Sequence, residues 1–199
     1  MNNDSSTDQE LHSLQTYVSD LLALEQHIGK PFASQAESES VAVYPAAKDL
    51  VSTLASQNTA HEAALRACLE SLGGHPASPI KSAWSNLLGD AASAVGGSRK
   101  TKVTKYLRDD YTALSLATMS YTLLHSTAVG VGNASVAALA LQGLSDYAGS
   151  VMEINQVVPG VVLAELREDG ENVAVGSAET IVQQTNAVWQ RQGGAVHQS

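Results

Sequence analysis

Three long runs of this sequence carry a mostly apolar stripe that steps by three and four without a slip. The first is Leu14, Val18, Leu21, Glu25, Ile28 and Phe32; the second is Ala47, Val51, Leu54, Asn58, His61, Leu65, Cys68 and Leu72. The third is Val103, Leu107, Asp110, Leu114, Ala117, Tyr121 and Leu124. A seam of that period is the buried stripe of an α-helix, and strands, whose period is two, cannot hide it. The stretch from Ala134 to Val157 is apolar around much of its circumference, which predicts a helix covered from more than one side. Strand signals are scarce and aromatic residues make up only 5% of the chain. The chain must therefore bury helix against helix.

Punctuation residues set the expected boundaries. A first helix over about 8–39 carries Pro31 near its end, where proline kinks a helix or costs it a hydrogen bond. A second opens at Tyr44-Pro45, with proline in the first turn, and stops at Leu72-Gly73-Gly74. A short linker helix is expected over about 79–95, with Ser78 as its N-cap and Gly96-Gly97 as its stop. A third helix over about 100–128 turns at Gly130-Val131-Gly132-Asn133 into a fourth, about 134–157, ending before Pro159. Residues 160–167 read as a short helix, 167–172 as a loop and 174–192 as a polar surface helix. The architecture expected is all-α: an up-down four-helix bundle over residues 1–166, with a helical extension over 167–199.

Length and charge narrow the function classes. With 199 residues the chain can bury a real core as one domain. Twenty acidic side chains against 11 basic ones, a net charge of −9, argue against nucleic-acid and anionic-membrane partners. No run approaches the ~20 apolar residues of a spanning helix, and the acidic, polar N-terminus is unlike a secretory or transit signal. One cysteine, Cys68, excludes an internal disulfide framework and a Cys-rich zinc cage. A cytoplasmic protein is the expectation. No Gly-x-Ser-x-Gly elbow and no phosphate loop is present. The basic run from Arg99 to Arg108 reads as a solvated helix face, and His27 as a surface residue on the far side of its helix from Glu25.

The informative residues interrupt the stripes. Glu25, Asn58, His61 and Asp110 stand where leucine or valine is expected, and a buried charge is costly unless paired or bound to metal. Height along the bundle groups three of them. Counted from a turn near residue 42, Glu25, Asn58 and His61 all lie ~25 Å away at ~1.5 Å per residue. The same count from a turn near 131 brings Leu114, Ala117 and Asp146 to that layer, while Asp110 lies one helical turn beyond it. In a bundle, facing side chains in one layer are how metal sites are built.

The stretch Tyr17-Val-Ser-Asp-Leu-Leu-Ala-Leu-Glu25-Gln-His-Ile28, then Tyr44-Pro45, then His61-Glu-Ala-Ala-Leu-Arg-Ala-Cys-Leu-Glu-Ser-Leu-Gly73-Gly74, resembles the ferritin-like superfamily. It is most similar to small bacterial ferritin-like proteins of the YciE/YciF type, over roughly residues 8–166. The resemblance implies a pair of metals held by a glutamate on the first helix and Glu-x-x-His on the second, repeated on the third and fourth. Glu25 and His61 match two of these ligands, and Asp146 matches a third loosely. Asn58, Ala117 and Gly149 stand where two carboxylates and a histidine are expected. Two metals need bridging carboxylates, and these are missing, so the resemblance implies a largely dismantled centre.

Two readings of the layer follow. One is a buried polar knot of Glu25, Asn58 and His61 in a non-catalytic protein that binds no cofactor, stress-related or serving assembly, acting as a homodimer or with a protein partner. The other is one Fe, Mn or Zn ion held by Glu25, His61, Asn58 and Asp146, with Asp110 as an alternative carboxylate after a one-turn register shift, in an oxidase or iron-handling protein.

Overall fold

The computed structural model describes residues 3–75 and 102–195, and their side chains over 8–75 and 102–191. The described residues form six helices and no strand. These are α1 (Asn3–Ala36), the single turn α2 (Glu39–Ala42), α3 (Pro45–Ser71), α4 (Val103–Gly130), α5 (Ala134–Glu168) and α6 (Ser177–Ala195). The linker helix expected over 79–95 lies outside the described residues.

The three interrupted stripes face a common core. Leu14, Val18, Leu21, Ile28 and Phe32 of α1 are buried, as are Val51, Leu54 and Leu65 of α3 and Leu107, Leu114 and Leu124 of α4. α1 packs on α3 and α4 on α5, and the two pairs join through α1–α4 and α3–α5 contacts. The four long helices thus close a ring in the order α1, α3, α5, α4, and α6 lies on α5.

Side-chain bonds give the directions. Gln15 reaches the Leu72 carbonyl and Asn58 reaches Glu25, so α1 and α3 are antiparallel. Gln35–Asp110 and Tyr121–Glu25 make α1 and α4 antiparallel. Tyr44–Glu168 and His61–Asp146 do the same for α3 and α5. The chain order is therefore up, down, down, up. The end of α3 and the start of α4 lie at opposite ends of the bundle, where simple alternation would have placed them together.

One boundary differs from expectation. Pro31 lies inside α1, as the expected first helix has it, but Pro159 also lies inside a continuous helix. The expected break before Pro159 and the separate helix over 160–167 are replaced by one 35-residue α5. Interior proline costs ~3 kcal/mol through a lost hydrogen bond and a ring clash. Beyond Pro159, however, Val161, Leu163 and Glu165 are buried, and each large apolar side chain so placed recovers ~1.5–3 kcal/mol. Glu165 also caps the start of α4, taking the Thr104 N–H at 3.2 Å and the Thr104 hydroxyl at 2.7 Å. A carboxylate there meets the positive end of the α4 dipole. The glycine stop after α3 is as expected: Gly73 has φ +75°, and Gly73 and Gly74 return their N–H groups to Glu70 and Leu69.

Candidate functional site

Glu25 has no solvent exposure and sits at the centre of the bundle. Its Oε1 accepts from the Tyr121 hydroxyl at 2.7 Å; its Oε2 accepts from the Tyr147 hydroxyl and the Asn58 amide, each at 2.6 Å. The same Asn58 amide donates to the Glu25 main-chain carbonyl at 2.8 Å. These partners come from α3, α4 and α5, so one carboxylate on α1 ties together all four long helices.

His61 extends the network toward the surface. Its Nε2 lies 3.0 Å from Asp146 Oδ2, and Asp146 Oδ1 accepts from Gln142 at 2.8 Å. Its Nδ1 stands 3.4 Å from Glu25 Oε1, an ion-pair separation without a hydrogen bond of good geometry. Tyr147 and Tyr121 meet the imidazole edge-on, with ring centroids 4.6 and 5.5 Å away. Burial by itself pushes the His61 pKa down, but hydrogen bonding and attraction to Glu25 and Asp146 outweigh it and the net shift is upward. Burial, reinforced by the charge of Glu25, drives both tyrosine pKa values upward, so the phenols act as neutral donors.

Two helical glycines make room for this arrangement. A Cβ at Gly143 would lie 2.4 Å from the Tyr121 ring, and one at Gly29 would lie 2.1 Å from Asn58 Oδ1. Each interior glycine costs its helix ~1 kcal/mol relative to alanine, and here each admits a side chain that bonds Glu25.

The structure thus brings Glu25, Asn58, His61 and Asp146 into one layer, as their heights predict. Leu114 and Ala117 are buried on α4, as the stripe requires. The partners that sequence reasoning missed are Tyr121, taken only as a stripe residue, and Tyr147. Counting Cα heights from the turn near 131 hides Tyr121, ten residues away and outside the layer into which it carries its hydroxyl; Tyr147 stands at the layer's own height, next to Asp146 in sequence. The available signal was chemical: a phenol on a buried stripe needs a hydrogen-bond partner. Asp110 does not join the layer. It is buried against Gln35 on α1, ten residues and so ~15 Å along that helix from Glu25.

A dimetal centre does not fit these donors. Both oxygens of Glu25 are taken by protein groups, and Asn58, Leu114 and Ala117 add no carboxylate. The two carboxylates also flank different nitrogens of His61, so an ion on Nε2 meets Asp146 and one on Nδ1 meets Glu25. Among the described residues, no group of three or more His, Cys, Asp or Glu is arranged to hold a metal.

The lesser candidates fall into ordinary places. His27 is exposed, and Cys68 is half-buried against the core. His125 Nδ1 is 2.9 Å from the Ala137 carbonyl. Of the basic run, Lys102 pairs with Asp169 and Arg108 with Asp109, while Lys105 is exposed. Residues 99–101 lie outside the described residues. No helix among those described is long and apolar enough to cross a membrane. No protein-family model, curated protein or solved structure matches the chain.

Proposed function

We propose that this chain is a ferritin-like bundle whose metal layer has become a structural polar knot. It is a non-catalytic protein that acts through its surface, in a stress-related or assembly role and as a homodimer. The observation that carries the reading is that both oxygens of Glu25 already accept from protein: tyrosine and asparagine donors from three other helices hold the carboxylate a metal would need. The parallel α3 and α4, at opposite corners of the ring, add support, since ferritin-like folds have one long crossover connection. The homodimer draws on Met119 and Leu123 of α4 and Leu141 and Met152 of α5, which are all exposed.

Elemental analysis of protein purified without chelator tests this reading. The expected result is under about a tenth of an equivalent of Fe, Mn or Zn per chain, unchanged after incubation with each metal. About two equivalents of Fe or Mn would overturn it.

A second reading has one observation in its favour. The Asp146 side chain is 29% exposed beside His61, so the layer has an opening to solvent. An Fe- or Mn-dependent oxidase or iron-handling site built on Glu25, Asn58, His61 and Asp146 would load through it. That reading requires about one tightly held equivalent of metal, lost in Asp146→Asn.

A further inference from the structure

Away from the Glu25 layer, α1 and α4 enclose a groove of about 500 Å³. That volume is within the range of small-molecule sites. Ile28, Pro31 and Phe32 of α1 and Tyr106 and Ala113 of α4 supply apolar walls. Gln35 and Asp110 also line it, at 6% and 2% exposure. Gln35 Nε2 donates to Asp110 Oδ1 at 2.9 Å. Gln35 Oε1 and Asp110 Oδ2 are then left buried with no hydrogen-bond partner. Buried polar atoms are nearly always satisfied, so an orphaned pair on a groove wall calls for a partner.

Both orphans are acceptors, which sets the chemistry of that partner. It must bring N–H or O–H donors, and the charges present favour a cation. Arg108 is engaged by Asp109 through two bonds, at 2.7 and 3.0 Å, so those two charges cancel. His27 from α1 and Tyr106 from α4 complete the titratable lining. Asp110 is left as the uncompensated charge. A primary ammonium carries three donors and one positive charge, and the hydrocarbon walls require an apolar body behind it.

We propose that the α1–α4 groove binds a small amphipathic organic cation, a primary alkyl- or arylalkylammonium. Its nitrogen donates to Asp110 Oδ2 and Gln35 Oε1, and its hydrocarbon body lies against Ile28, Phe32 and Tyr106. This site is independent of the Glu25 layer and of its reading as a metal-free knot.

A proton is the natural competitor. Burial raises the Asp110 pKa to about 7, against a smaller lowering by the Gln35 bond and a further rise from Asp109. Protonation of Asp110 removes the buried charge that the cation would neutralise. Binding is therefore expected to strengthen as pH rises through 7.

The test is calorimetric titration of the full chain with phenethylammonium, 2-phenylethanol and phenylacetate, near pH 6 and near pH 8. The ammonium should saturate one site with a Kd of about 1 mM or tighter at the higher pH. It should weaken several-fold at the lower pH, and the alcohol and the carboxylate should fail to bind. Asp110→Asn keeps an oxygen for the Gln35 amide and removes the buried charge, so it should fold well and lose at least about tenfold in affinity. Gln35→Leu, which removes the other acceptor, should also weaken binding. No saturable binding of the ammonium, equal binding of the alcohol, or an Asp110→Asn variant with unchanged affinity would each overturn the proposal.

Discussion

Glu25 shows how little a single residue's chemistry says until its neighbours are placed. Its two oxygens accept from the donors of Tyr121, Tyr147 and Asn58. Glu25→Gln can keep an oxygen toward Tyr147 and Asn58 and turn its amide toward the Tyr121 hydroxyl, which can rotate to accept. The cost in urea unfolding should be about 1 kcal/mol or less. Glu25→Leu strands all three donors, at ~1–3 kcal/mol for a buried unsatisfied group, and should cost at least about 3 kcal/mol. Equal costs for the two variants would mean that the site is held by shape rather than hydrogen bonding.

The pH dependence belongs to this scale too. His61 has a raised pKa, so its contribution is fully present below its unfolded value of 6.5 and is lost as pH rises through the higher folded value. Asp110 is raised from 3.8 to about 7, so the folded chain holds that proton longer than the unfolded one, and stability falls across this interval. The two effects share a sign. Stability in urea should decline from about pH 5 to about pH 8, and Asp110→Asn should recover on the order of 2 kcal/mol at the upper end but little near pH 4.

Within the helices, glycines of one type have opposite meanings. Gly143 and Gly149 lie in α5, yet a Cβ at 143 collides with the Tyr121 ring while one at 149 meets nothing within 4 Å. Gly149→Ala should stabilise by up to about 1 kcal/mol through helix propensity. Gly143→Ala gains the same propensity but must displace a packed ring, so a net loss of about 1–3 kcal/mol is expected. Thermal unfolding of the two variants side by side separates packing from propensity. Pro159 follows the same logic, because the local preference to stop yields to the buried residues beyond it.

The whole molecule is held by a ring of four long helices with a single carboxylate touching all of them. Its outer faces carry Met119, Leu123, Leu141 and Met152, and large exposed apolar residues on adjoining helices are what an association surface requires. Sedimentation at micromolar concentration should give twice the 20.7 kDa chain mass. The double variant Leu123→Glu and Leu141→Glu should restore the single-chain mass with the helical signal intact. A monomeric parent chain would remove the homodimer from the proposed function.

What the sequence determines by itself is the set of periodic seams and the residues that violate them. Steps of three and four specify helices and their buried faces, and Glu25, Asn58, His61 and Asp110 are conspicuous because charge or amide stands where hydrocarbon is expected. The glycine stop at Gly73 and the proline start at Pro45 are legible for the same reason: local backbone chemistry decides them. Tertiary structure decided the rest. Whether α4 runs with or against α3 depends on which faces pair across the bundle, and no local signal records that. Tyr121 and Tyr147 become partners of Glu25 only when helices distant in the chain meet, and the pairing of Asp110 with Gln35 likewise joins residues 75 apart in sequence. Periodicity is a property of one helix. A hydrogen bond between helices is a property of their arrangement, so it is written in the fold.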